Sequence, residues 1–153
     1  MVREIAHRGY ADLHAENTVS AVRAAAATAD CVEVDVRRCA DDLVVCHDET
    51  VDRVTDGTGR VADLSAADLD ALSVFGSGEG VPRLAAVLAA APPAVGFVLE
   101  LKERGLAAEA LSLAATVEND VTVSTFDPET LREVREVDPD ASRAYLTASA
   151  PRE

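Results

Sequence analysis

The five residues Val32-Glu33-Val34-Asp35-Val36 constrain this chain more than any other stretch. Strict alternation is the period of a strand, with the three valines on one face and both acids on the other. Taken alone, the pattern fits a solvated edge strand. That is the commoner reading of such a stretch by itself, although a buried strand whose two adjacent carboxylates supply hard oxygen ligands for Mg²⁺ or Ca²⁺ has the same pattern. The rest of the chain decides between them.

At 153 residues the chain is one domain, read as spanning 1–153 and long enough to bury a core. It is 48% apolar with 3% aromatic residues and no Trp, so the core must be Ala, Val and Leu, as in helices packed on a parallel sheet. Residues 3–7 read as a first strand ending at His7. A helix then runs from Asn17 or Thr18 to Thr28, with Asn17 as its cap. The alternating run is the second strand, and Leu43–Cys46 is a third, ending at His47-Asp48. A polar loop over 49–64 precedes a helix from Ser65 to Leu72. Past Gly76, Gly78 and Gly80, Pro82 is placed as the first residue of a helix reaching Ala90. The fourth strand is Phe97–Lys102, followed by a helix near 105–116 and a fifth strand at 121–126. Asp127-Pro128 starts a helix to Val137, and Ser142–Leu146 is a sixth strand. Six strands separated mostly by helices predict an α/β parallel sheet or barrel.

Charge narrows the partners. The chain has 28 acids against 14 bases, a net charge of −14, which argues against nucleic acid and anionic membrane surfaces. Lys102 is the only lysine. This acidic, lysine-poor composition resembles proteins of a salt-rich cytosol, and stability is expected to rise with molar KCl as screening relieves self-repulsion. No run is long enough to span a membrane and the N-terminal residues show no signal segment, which predicts a cytoplasmic protein. Cys31, Cys39 and Cys46 lack metal-type spacing and read as buried thiols.

The polar residues that interrupt the strands gather at their carboxyl ends, where α/β folds hold ligands. Glu33, Asp35 and Glu100 there would repel one another unless a cation neutralised them. His7 and His47 occupy matching ends and can divide acid and base duties; His14, in a loop, reads as exposed. Arg8 and Lys102 either pair with these acids or hold phosphate oxygens.

These residues resemble the glycerophosphodiester phosphodiesterases, metal-dependent TIM barrels. The matching pieces are His7-Arg8-Gly9, Glu16-Asn17-Thr18, Glu33-Val34-Asp35-Val36, His47-Asp48, Arg53–Gly59, Val81–Leu84, Glu100-Leu101-Lys102 and Ser124–Asp127, in order and in register. The resemblance implies one divalent cation, Mg²⁺ or Ca²⁺, on Glu33, Asp35 and Glu100, with His7 and His47 as the acid–base pair. It implies Arg8 and Lys102 on the phosphate and Glu16 as support near the metal. The implied reaction is hydrolysis of a small glycerophosphodiester to glycerol 3-phosphate and an alcohol. Ala15 stands where the family usually has Pro, and Arg83 where it has Thr. A TIM barrel has eight strands and the sequence supplies about six, so an incomplete, C-terminally truncated barrel is expected, prone to self-association through open sheet edges. Two alternatives remain: a noncatalytic remnant binding metal or phosphate, and a related phospholipase-type phosphodiesterase.

Overall fold

A computed structural model describes residues 3–148, so both extremes of the single-domain reading, Met1-Val2 and 149–153, lie outside the described residues. The elements are β1 (Ile5–His7), α1 (Val19–Ala25), β2 (Cys31–Arg38), β3 (Leu43–Val45), α2 (Ala66–Asp70), α3 (Leu84–Leu88), β4 (Gly96–Leu101), α4 (Ala107–Ala114), β5 (Val121–Thr125), α5 (Pro128–Val137) and β6 (Ser142–Tyr145). One six-stranded sheet runs β1-β2-β4-β5-β6, all parallel, with β3 attached to β2. This is the TIM-barrel-type α/β architecture, incomplete and open between β1 and β6 among the described residues. No helix of the described residues is long and apolar enough to cross a membrane.

Alternation in β2 assigns the two faces. Val32, Val34 and Val36 are fully buried beside Phe97, Leu99 and Leu101 of β4, their register partners. Against this face pack Val22 and Ala25 of α1, Leu84 and Leu88 of α3, Ala110 of α4 and Val134 of α5. Such an aliphatic layer is the main source of stability in a chain without Trp. The opposite face carries Glu33, Asp35 and Glu100, which therefore point to the sheet's interior side.

Three local expectations change. The strand β3 runs antiparallel, pairing Val36 with Val45 and Arg38 with Leu43. It takes the edge of β2 that β1 leaves after His7, because β4 holds the other edge through Val36. The cap of α1 is Thr18, whose Oγ accepts from the Ala21 N–H, not Asn17. Two cap-type residues stand in tandem where one suffices, so Asn17 is released for another task. Finally, α3 begins at Leu84, with Arg83 as N-cap. Pro82 lies before it because its carbonyl accepts from the Val45 N–H, tying this stretch to β3. By contrast, Ser65 caps α2 in a reciprocal box with Asp68, and Asp127 caps α5 ahead of Pro128, as expected.

Residues 39–81 form a separate small core on one flank. Cys39, Val44, Cys46, Val51, Val54, Val61, Leu69 and Val81 are buried together there, apart from the aliphatic layer between sheet and helices.

Candidate active site

Register builds the acidic centre. Asp35 lies opposite Glu100, and His7 opposite Glu33, so each pair shares the interior face of neighbouring parallel strands. One carboxylate oxygen from each of Glu33, Asp35 and Glu100 lies within 4.8 Å of the others, and all three residues are buried. Burial, and after it the charge of Asp35, pushes the Glu33 carboxyl up to about 8. Glu33 Oε1 and Asp35 Oδ1 have no hydrogen-bond partner. Three convergent carboxylates with orphaned buried oxygens are a donor set for a hard divalent cation, whose charge would offset the burial and the repulsion that raise Glu33.

Two cations, Lys102 and Arg8, flank this centre. Lys102 Nζ lies 2.7 Å from Glu100 Oε1 and 3.6 Å from Asp35 Oδ1. Arg8 donates its backbone N–H to Glu33 Oε2 (3.1 Å), while its guanidinium reaches Asp35 (3.1 Å) and Glu16 (2.7 Å). Arg8 has a left-handed φ of +51°, costly for a residue with a Cβ and held here by these three contacts. Gly9 follows at φ +69°, and a Cβ there would come 2.9 Å from Ala21 Cβ, so the turn sits directly on α1.

The two histidines differ. The His7 ring is 65% exposed, with Nε2 3.7 Å from Glu33 Oε2. His47 is half-buried, and its Nδ1 lies 2.7 Å from Asp48 Oδ1. Among the described residues it forms no hydrogen bond or ion pair with the carboxylate cluster, but with Glu16 and Asn17 it lines a single cavity. Because β3 runs back along β2, the Cys46 N–H donates to the Asp35 carbonyl one residue before His47. Arg37 Nε donates to the His47 carbonyl at 2.9 Å. His14 is exposed, as expected. The three cysteines are free thiols, Cys39 and Cys46 buried and Cys31 partly so; burial pushes Cys46 up to about 11.

Sequence reasoning missed four participants. Asn17 donates through Nδ2 to Asp35 Oδ2 (3.0 Å) and accepts from the Asp35 N–H through Oδ1 (3.4 Å). The surplus cap residue in Glu16-Asn17-Thr18 was the available signal. Arg53 joins Asp48 to Glu16. Arg37 shares the interior face of β2 with Glu33 and Asp35, two residues further along the same alternation. Ser124 pairs with Glu100 in register, and its buried Oγ has no hydrogen-bond partner.

Known proteins resemble this chain in sequence and in fold. YhdW of Bacillus subtilis is 34% identical over 157 residues, covering 94% of this chain and 65% of its own length. The crystal structure of glycerophosphodiester phosphodiesterase from Agrobacterium tumefaciens superposes with a TM-score of 0.85 at 33% identity, over 94% of this chain and 66% of that one. An Oleispira antarctica phosphodiesterase, in complex with the product sn-glycerol-3-phosphate, gives 0.86 at 26% identity, over 99% and 68%. The chain thus spans about two thirds of the length of these proteins. The model of the glycerophosphoryl diester phosphodiesterase family matches residues 7–153, nearly all of the sequence, and the chain belongs to that family.

Proposed function

We propose that this chain carries the reacting centre of a glycerophosphodiester phosphodiesterase, producing glycerol 3-phosphate and an alcohol from a small soluble diester. The observation that carries the reading is the convergence of Glu33, Asp35 and Glu100, ringed by Arg8 and Lys102 and flanked by His7. One divalent cation, Mg²⁺ or Ca²⁺, on the three carboxylates would offset charge building on the phosphoryl oxygens. Arg8 and Lys102 turn from the acids toward the phosphate once the acids are otherwise neutralised, holding its oxygens by charge-assisted hydrogen bonds. Glu16 keeps Arg8 aimed from its far side. His7 and His47 move the protons: one imidazole protonates the leaving alkoxide, the other takes the proton of the nucleophile, water or a neighbouring glycerol hydroxyl. The bound product of the Oleispira relative supports a glycerol 3-phosphate-forming reaction.

Turnover of a glycerophosphodiester, measured with and without chelator, tests the reading. Wild type should release glycerol 3-phosphate only with Mg²⁺ or Ca²⁺ present, and Glu100→Ala should abolish it; undiminished turnover in that variant removes the assignment. A second reading is cation binding without turnover, which the three convergent carboxylates support by themselves. Calorimetric cation binding with no product would establish it. The net charge of −14 supports a salt-rich cytosol, which a rise of melting temperature with molar KCl would bear out.

A further inference from the structure

No hydrogen bond or ion pair among the described residues joins His47 directly to the carboxylate centre, yet a continuous chain of charges does. Asp48 Oδ1 lies 2.7 Å from His47 Nδ1. Arg53 grips Asp48 as a fork, Nε to Oδ2 at 2.8 Å and Nη2 to Oδ1 at 3.1 Å. The same Nη2 lies 2.6 Å from Glu16 Oε1, and Glu16 is held from its other side by Arg8, which reaches Asp35. An exposed arginine in an isolated ion pair contributes little. Arg53 is half-exposed, but both carboxylates it joins are held: Glu16 is buried, and Asp48 is bound bidentately. Its neighbour Val54, like Val51, is buried in the flanking core, so the backbone that carries the fork is itself anchored.

The fork has a chemical consequence at the ring. An ionised carboxylate only accepts hydrogen bonds, and Arg53 holds Asp48 well below the usual carboxylate range. His47 Nδ1 must therefore be the donor, which leaves the lone pair of the neutral imidazole on Nε2. Arg37 Nε, donating to the His47 carbonyl, holds the backbone beside the ring. We infer that Arg53 is a positioning residue: by fixing Asp48 against Glu16 it keeps His47 in the Nδ1–H tautomer, with Nε2 free to exchange a proton at the reacting centre. The use of Nε2 rests on the phosphodiesterase reading above; the tautomer does not.

The test pairs nitrogen NMR of the neutral His47 ring with steady-state kinetics and Mg²⁺ calorimetry on the full chain. Wild type should show a protonated Nδ1 and an unprotonated Nε2. Arg53→Gln and Asp48→Asn should shift the ring toward the Nε2–H tautomer. The kcat should fall about 10-fold for Arg53→Gln, as for other residues that orient a reacting group, and at least about 100-fold for Asp48→Asn, whose amide can donate to Nδ1. KM should change less than about threefold, the signature of an interaction that matters in the transition state. Arg53→Lys, which keeps charge without the fork, should recover only part of the loss. Unchanged Mg²⁺ affinity would show that the carboxylate centre survives each change. An Nε2–H ring in wild type, a wild-type tautomer in Arg53→Gln, or full activity in Arg53→Lys would each overturn the inference. If wild type binds Mg²⁺ but turns nothing over, the phosphodiesterase reading falls and the tautomer comparison alone decides. Arg53→Lys serves for that comparison if Arg53→Gln does not fold.

Discussion

The sheet body and the 39–81 excursion reach the same site by different means. In the body, Glu33, Asp35 and Glu100 are placed by strand register, so one residue's position fixes its neighbours across the ladder. In the excursion, His47, Asp48 and Arg53 are placed by a hairpin strand and a loop wrapped on a small core of their own. Regular hydrogen bonding thus fixes the three carboxylates, while irregular chain fixes His47. Precision is inherited from the ladder in one case. In the other it must be assembled from ion pairs.

Core truncations separate the two most strongly. Leu99→Ala, between sheet and helices, and Leu69→Ala, in the flanking core, each remove a fully buried side chain and should each cost about 2–5 kcal/mol. Thermal unfolding measures the loss, and Mg²⁺ titration tells the regions apart. Leu99→Ala should weaken cation binding, whereas Leu69→Ala should spare it and disorder the His47 ring. Equal weakening of cation binding in both variants would show one cooperative unit and break the comparison.

Opposite responses to pH sharpen it. Glu33 has its folded value raised from 4.5 to about 8, so its contribution is fully present below 4.5 and is lost as pH rises through 8 in cation-free protein. Asp48 is shifted the other way, by Arg53 first and by the His47 contact among the lesser causes. Its contribution is present above the ordinary aspartate value and is lost as pH falls below it. Hydrogen exchange on cation-free protein should therefore find β2 loosening toward alkaline pH and the excursion toward acid. Saturating cation should abolish the alkaline effect, because binding requires the ionised carboxylate.

The tandem Asn17-Thr18 gives the smallest effects. Thr18→Ala removes the cap of α1 and should cost about 1 kcal/mol in denaturant unfolding, with cation affinity unchanged. Asn17→Ala should reverse that pattern, lowering cation affinity through Asp35 with little change in helix stability. Equal effects of the two changes would return Asn17 to the capping role first expected of it.

The same division governs what could be read from the residues alone. Alternation in Val32–Val36 and Phe97–Lys102 specifies both faces of β2 and β4, and Asp127-Pro128 specifies the start of α5, because each signal is local. The direction of β3 is not local. Leu43-Val44-Val45 reads the same in a parallel or an antiparallel strand, and only the vacated edge of β2 decides. Arg53 likewise sits in a stretch whose polar turn residues signal a loop, while its role depends on Asp48 and Glu16 at distances no periodicity encodes. The family likeness carried what spacing did not, including Glu16, which is buried between two arginines.

Sharing one edge of β2 among three partners has a mechanical outcome. β1 pairs with Cys31–Glu33, the Asn17 side chain meets Asp35, and β3 closes Val36–Arg38, while β4 lines the far side. The strand bearing two of the three carboxylates is thereby laced along its whole length, and its amides should be among the last to exchange as the fold breathes. Thermal motion at the rim of the sheet can then shift loops without spreading the carboxylates apart.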